Sequence, residues 1–161
     1  MTKKQRIVEK IMIDAAPEEV YGLARDPEMW SSWYAGLEGP EKLMGKGEKG
    51  TTGDFHINIA GIKFPIKIEV TEDHMSREKC RWSGTFDGRT RGNQIFEYKL
   101  KDGKTEATVQ FEGTTPESLL GRVASRIVLD KMQENSIHNT MQNLKVFVEG
   151  KLAHKEEEKM T

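Results

Sequence analysis

Cysteine is almost absent from this sequence, and neither sign of charge dominates. The single cysteine, Cys80, excludes an intrachain disulfide and most thiolate metal sites, and it fits a reducing compartment. A net charge of -1 gives no electrostatic attraction to nucleic acid. We therefore expect an intracellular protein with no nucleic-acid partner.

Long apolar runs are also missing. None approaches the ~18 residues that a membrane-spanning helix needs. The basic start, MTKKQR, leads into IVEKIMID, where Glu9 and Lys10 interrupt the apolar core of a signal peptide. We therefore expect a cytoplasmic protein with no membrane span. Peripheral contact with a membrane stays open, and the oligomeric state is not indicated.

Motifs for metals and for nucleophilic catalysis are lacking as well. The four histidines, His56, His74, His138 and His154, show no HxxxH or HExxH spacing, whereas a zinc or iron site needs three or four convergent ligands. There is no GxSxG motif, and Cys80 falls in the apolar phase of its segment, which favours a small buried hydrophobe. We expect neither a metal nor another cofactor.

One glycine motif needs its context to be judged. GKGEKG matches GxGxxG at Gly45, Gly47 and Gly50, but a nucleotide fingerprint requires a helix directly afterwards. The next segment, TTGDFHINIA, has the alternation of a strand. A glycine-rich hairpin loop is the interpretation that fits.

The first third of the chain combines a strand with two short helices. RIVEKIMID places Ile7, Ile11 and Ile13 on one strand face, and AAPEEVYGLAR then predicts a helix with Pro17 at its first position. DPEMWSSW predicts a second helix with Asp26 as N-cap. Two of the three tryptophans lie in this short segment, so it either plugs a core or lines a cavity.

From about residue 37 to residue 114 the apolar period is two, with short turns, which indicates an antiparallel meander. After Pro116 a helical pattern continues to about Gly150. The apolar stripe expected on this helix consists of Val123, Ile127, Ile137, Met141, Leu144 and Val148. We expect one domain over residues 1–150, followed by a charged tail, 151–161, that is frayed or disordered.

These elements predict an α+β protein. The long helix is the only element large enough to cover the dry face of the sheet. A strongly curved sheet around one helix seldom fills its own interior, so we expect a pocket between them.

The segment IMIDAAPEEVYGLARDPEMWSSWYAG resembles the opening of the START-like SRPBCC superfamily, in its polyketide cyclase/dehydrase or coenzyme-Q-binding branch. The matching residues are Ile13, Ala15, Pro17, Val20, Asp26, Pro27 and Trp33. The resemblance covers about residues 5–150. It implies a helix-grip fold, a sheet of about six or seven strands around the last helix, with a deep cavity for lipids, quinones, polyketides or similar molecules.

Given such a cavity, mostly apolar and aromatic side chains are expected to line it. The candidates are Glu9, Trp33, Phe55, Ile57, Phe64, Ile66, Trp82, Phe96, Tyr98, Val109, Phe111, Met141 and Leu144. Trp33 is expected to point into the core or cavity, and Trp30 to seal the flank.

Polar anchors are fewer. Glu9 shares the strand phase of the inward isoleucines, so its side chain either faces the cavity or reaches water at the end of the strand. If a polar side chain anchors the ligand, the candidates are Glu9 and Tyr98. On the long helix, polar side chains that either bind a ligand or face solvent interrupt the apolar stripe. They are Gln133, Asn135, Ser136 and Asn139.

Three functions follow. The leading hypothesis is a non-catalytic carrier of a small apolar ligand. The second is a polyketide cyclase/aromatase or dehydratase in which a carboxylate, a tyrosine or a bound water transfers protons, with Glu9 and Tyr98 as candidates. The third is a protein-interaction module, which a collapsed cavity and an exposed apolar patch would favour.

Overall fold

One antiparallel sheet forms the frame of the protein. The computed structural model describes residues 4–122 and 125–160. Seven strands follow the spatial order β1-β7-β6-β5-β4-β3-β2. They are β1 Lys4–Ile13, β2 Leu37–Met44, β3 Thr52–Ile59, β4 Ile62–His74, β5 Lys79–Gly88, β6 Gly92–Lys101 and β7 Lys104–Thr114. The prediction of an α+β fold with an antiparallel sheet of about six or seven strands is confirmed.

Period-two alternation fixes which sheet face is dry. On β4 the side chains of Phe64, Ile66 and Ile68 are buried, whereas the alternating Lys63 and Lys67 are exposed. A one-residue shift in register would reverse these faces, so the alternation also specifies the pairing.

Two short helices follow β1, as predicted: α1 Pro17–Ala24 and α2 Trp30–Trp33. Pro17 occupies the first turn of α1, and the Glu19 carboxylate accepts a hydrogen bond from the Ala16 backbone N–H at 3.1 Å. The predicted start of α2 is wrong. Asp26 accepts a hydrogen bond from the Glu28 N–H at 3.1 Å and so stabilises a turn, and the helix begins only at Trp30.

The last helix, α3, spans Arg126–Lys159. Its predicted start after Pro116 is wrong, because a 3₁₀ helix, Glu117–Leu119, comes first and Gly121 then takes a left-handed conformation with φ of 76°. The Ser125 side chain caps α3 by accepting a hydrogen bond from the Val128 N–H at 3.4 Å. At its other end, α3 continues through the charged segment to Lys159; the domain boundary at residue 150 stays a prediction.

The predicted apolar stripe of α3 is only partly buried. Ile137, Met141, Leu144 and Val148 are buried against the sheet. Ile127 is 82% exposed, because it lies in the first turn of α3, on the side away from the sheet. Val123 lies outside the described residues. None of the described helices combines the length and the hydropathy needed to cross a membrane.

Candidate functional site: an aromatic cavity

A cavity of about 850 Å³ lies between the sheet, the two short helices and the beginning of α3. All three tryptophans and all three tyrosines of the chain line it. Its other large apolar side chains come from the sheet and from the start of α3: Leu37, Ile57, Ile59, Ile66, Ile68, Phe86, Phe96, Phe111, Val128 and Met132. Although aromatic residues are scarce in the sequence, they are concentrated around this space.

The WSSW segment forms one wall. Trp30 stacks on Phe55 with ring centroids 5.6 Å apart, and its indole N–H donates to the Ala24 carbonyl at 3.0 Å. Trp33 meets Phe96 edge to face at 5.8 Å. Edge-to-face and offset contacts of this kind add to the stabilisation from burial. Both tryptophans are buried and both border the cavity, so the segment plugs the core and lines the cavity.

One end of the cavity, which we call the mouth, opens to solvent. It is formed by the end of β3 and the β3–β4 turn, residues 58–61, by Gly36 after α2, and by Val128 and Met132 on α3. Val128 and Met132 are 49% and 39% exposed. Farther along α3, Gln133 and Ser136 also line the cavity.

The opposite end, the polar end, is lined by Tyr21, Arg25 and Tyr98, and Asp73 lies behind Tyr21 and Arg25 as their hydrogen-bond partner. Arg25 Nη2 donates to Asp73 Oδ2 at 2.7 Å, and the Tyr21 hydroxyl donates to Asp73 Oδ1. The Tyr21 and Tyr98 rings meet edge to face at 5.9 Å. Burial and the bond to Asp73 raise the pKa of Tyr21. The hydrogen bond to Asp73 also raises the pKa of Arg25, so the guanidinium keeps its positive charge.

The Tyr98 hydroxyl differs from the other two. Tyr34 donates to Gln94 Oε1 at 2.6 Å and Tyr21 donates to Asp73, whereas the Tyr98 hydroxyl has no hydrogen-bond partner among residues 4–122 and 125–160. Burial raises the pKa values of Tyr34 and Tyr98. All three phenols are therefore neutral at physiological pH, and that of Tyr98 remains free to hydrogen-bond a ligand.

Seven predicted pocket residues line the cavity: Trp33, Ile57, Ile66, Trp82, Phe96, Tyr98 and Phe111. Phe55 is instead stacked behind Trp30, and Phe64 joins a separate cluster with Leu119 and Leu129. Val109, Met141 and Leu144 belong to the filled core, where α3 covers β1 and β7. These five residues contribute packing beside or behind the cavity wall.

Glu9 and Tyr98 are not brought together. Glu9 faces α3 from the edge strand β1, its side chain is 29% exposed, and its carboxylate lies 3.4 Å from His138 Nδ1. Tyr98 lies two strands away on β6. Of the other polar candidates on α3, Asn135 and Asn139 are exposed.

The sequence analysis missed polar residues of the cavity, among them Tyr21, Arg25, Tyr34 and Gln94. Tyr21 lies on α1, and Arg25, four residues later, is the C-cap of that helix in a helical conformation, so the two side chains share one face. Gln94 shares the inward phase of β6 with Phe96 and Tyr98, and a polar residue in an apolar phase was the available signal.

Metal and nucleotide sites find no support in the part of the chain that the structure describes. No group of three or more His, Cys, Asp or Glu residues there converges on a common point. The GKGEKG loop joins β2 to β3, so a strand follows it, as the hairpin interpretation requires.

A curved antiparallel sheet around a long C-terminal helix, with a cavity between them, defines a helix-grip protein. The sequence over residues 4–149 matches the family described as polyketide cyclase/dehydrase and lipid transport, and the chain belongs to that family. The START-like SRPBCC resemblance is confirmed. This family binds small hydrophobic ligands or cyclises them. A search among curated proteins finds no match to the chain.

Solved structures share the fold at low sequence identity. TTHA0849 from Thermus thermophilus has a TM-score of 0.74 and 18% identity, covering 91% of this chain and 98% of that one. A START superfamily protein from Mycobacterium smegmatis has a TM-score of 0.70 and 14% identity, covering 90% and 97%. The Zhui aromatase/cyclase from a Streptomyces species has a TM-score of 0.69 and 12% identity, covering 92% and 93%. At such identities the likeness shows the fold alone.

Proposed function

We propose that this protein binds one small apolar ligand in the cavity and carries it without changing its covalent structure. The observation behind the proposal is the cavity itself, about 850 Å³, walled by aromatic side chains and open at the mouth. Small-molecule sites typically occupy about 300–1,000 Å³. Each Å² of apolar surface removed from water contributes about 25 cal/mol, so burial alone can supply most of the affinity.

The titratable groups of the cavity favour a carrier over an acid–base enzyme. General acid–base catalysis needs a group that exchanges a proton near the working pH. Among the described lining residues the only carboxylate is that of Glu38, which is exposed and paired with Lys63 at 2.9 Å. Burial keeps the tyrosines protonated, and Arg25 keeps its charge.

A neutral solvatochromic dye, Nile red, tests the proposal. Because all three tryptophans border the cavity, a dye bound there will quench their fluorescence and give a saturable one-to-one titration. The double variant Ile66→Phe, Ile68→Phe adds two phenyl rings inside the cavity and should weaken dye binding at least tenfold. The matched control, Val8→Phe, adds the same group on the exposed face of β1 and should bind like the wild type. Equal dye affinity in all three proteins would refute binding in the cavity.

A cyclase or dehydratase is the second candidate, and one observation favours it. The unpartnered Tyr98 hydroxyl could donate a proton or a hydrogen bond to a reacting carbonyl. Glu9 lies outside the cavity lining, so this version relies on Tyr98 or on bound water. Recovery of the natural ligand chemically unchanged after prolonged incubation with the protein would argue for the carrier. A collapsed cavity would favour the third hypothesis, a protein-interaction module. The cavity is open, so it does not favour that hypothesis.

A further inference from the structure

The cavity wall has a surplus of hydrogen-bond donors. Three buried side-chain nitrogens of lining residues have no partner among the described residues: Arg25 Nε, Trp33 Nε1 and Trp82 Nε1. The Tyr98 hydroxyl is a fourth unpaired group. The unpaired buried acceptors, on Gln5 and Asp130, belong to residues outside the lining.

Of the four donors, the Tyr98 hydroxyl is the best placed to meet a ligand. The three nitrogens are inaccessible to solvent, so a ligand would have to displace their neighbours to reach them. Tyr98 pairs with Cys80 at the β4–β5 end of the sheet, whereas the mouth is at the β3–β4 turn. β4, a strand of 13 residues, runs between these two ends. A ligand entering at the mouth therefore reaches Tyr98 with its leading end.

The charge at the polar end is already balanced. Arg25 is the only cation among the described lining residues, and its Nη2 atom lies 2.7 Å from Asp73 Oδ2. A carboxylate placed beside this pair would lose its hydration without gaining an unpaired cation, which is strongly unfavourable. A hydrocarbon would leave the Tyr98 hydroxyl buried and unpaired, which is also unfavourable.

We propose that the ligand is an elongated apolar molecule whose leading end carries a neutral oxygen acceptor, such as a ketone or ester carbonyl, and that the Tyr98 hydroxyl donates to it. This inference rests on the proposed function, since it takes the cavity to be a binding site. It adds the ligand's polarity and its orientation, with the acceptor innermost and the apolar remainder against the aromatic wall.

Three probes with a lauryl chain test it by titration of tryptophan fluorescence: methyl laurate, laurate and dodecane. The wild type is expected to bind methyl laurate more tightly than either of the others. Tyr98→Phe removes only the hydroxyl, so it should weaken methyl laurate binding about fivefold, the worth of one net hydrogen bond, and leave dodecane binding unchanged.

Each outcome is decisive. Equal affinity for the three probes, or tightest binding of laurate, overturns the neutral-acceptor inference and leaves a binding cavity in place. Failure of all three probes and of Nile red overturns the proposed function as well. The ranking of the three probes in the wild type tests the neutral-acceptor inference even if Tyr98→Phe does not fold. If Tyr98→Phe folds but loses as much affinity for dodecane as for methyl laurate, the hydroxyl acts on the structure alone.

Discussion

The interior has a solid half and a hollow half, and the same helix closes both. In the solid half, Ile137, Met141, Leu144 and Val148 of α3 pack directly on β1 and β7. In the hollow half, the first turns of α3 face the cavity with Val128, Met132, Gln133 and Ser136. Many side chains have low fractional exposure in both halves. Low exposure shows that a side chain is shielded from bulk water. Whether it is closely packed or borders the cavity is shown only by the atoms around it.

Truncation of a buried aliphatic side chain should separate the halves most clearly. Leu144→Ala in the solid half is expected to lower the free energy of unfolding by about 3–4 kcal/mol, because it removes close contacts and leaves a new cavity. Ile68 already borders the cavity, so Ile68→Ala should lower the free energy of unfolding by only about 1–2 kcal/mol. Urea unfolding curves measure both values, and equal losses would contradict the division into two halves.

The polar end should depend on hydrogen bonds rather than on packing. Asp73→Ala leaves the Tyr21 hydroxyl and the Arg25 guanidinium without their shared acceptor and should destabilise the fold by about 2 kcal/mol. Asp73→Asn retains an acceptor oxygen and should lose less. The same denaturation measurement tests this, and a smaller loss in the alanine variant than in the asparagine variant would refute it.

Enlarging a buried side chain should separate the two halves in the same direction as truncation does. Ile137→Phe overpacks the solid half and should lower the free energy of unfolding by about 1–3 kcal/mol. Ile66→Phe extends into the cavity, so its stability should remain within about 0.5 kcal/mol of the wild type while Nile red binding weakens. If Ile66→Phe proved as damaging as Ile137→Phe, the hollow half would not have room for a ligand.

The smallest expected effect concerns a link between β1 and α3 in the solid half. Although burial opposes it, hydrogen bonds from the Asp14 N–H at 3.0 Å and from Lys145 hold the pKa of Glu149 below its usual range. A pKa lowered on folding stabilises the protein above the unfolded-state value, near 4.5, and that contribution disappears as the pH falls through the folded-state value.

Glu149→Gln should therefore be slightly less stable than the wild type at pH 7 and should lose less stability on acidification below about pH 4.5. Thermal unfolding at a series of pH values measures the difference. Parallel pH profiles for the two proteins would show that the Glu149 carboxylate makes no such contribution.

The sequence predicted the frame better than the site. Alternation along β4 and the Pro17 helix start are local signals, and both hold in the structure. β2 gave no comparable signal, because its pairing with β3 shifts register twice and its burial does not alternate. Val109, Met141 and Leu144 were placed in the cavity because an apolar phase indicates an inward direction without indicating what lies opposite. Arg25 and Tyr21 were missed because their partner, Asp73, is far away in sequence.

Native mass spectrometry of the protein purified from its own host shows whether the cavity holds a ligand. We expect that the wild type carries one small molecule per chain, that the molecule can be extracted with organic solvent, and that it contains a neutral carbonyl group. The Ile66→Phe, Ile68→Phe variant should appear largely at the bare chain mass, and Val8→Phe should match the wild type. A wild-type spectrum showing the bare chain alone, together with no Nile red binding, would contradict the assignment of this cavity as a ligand site.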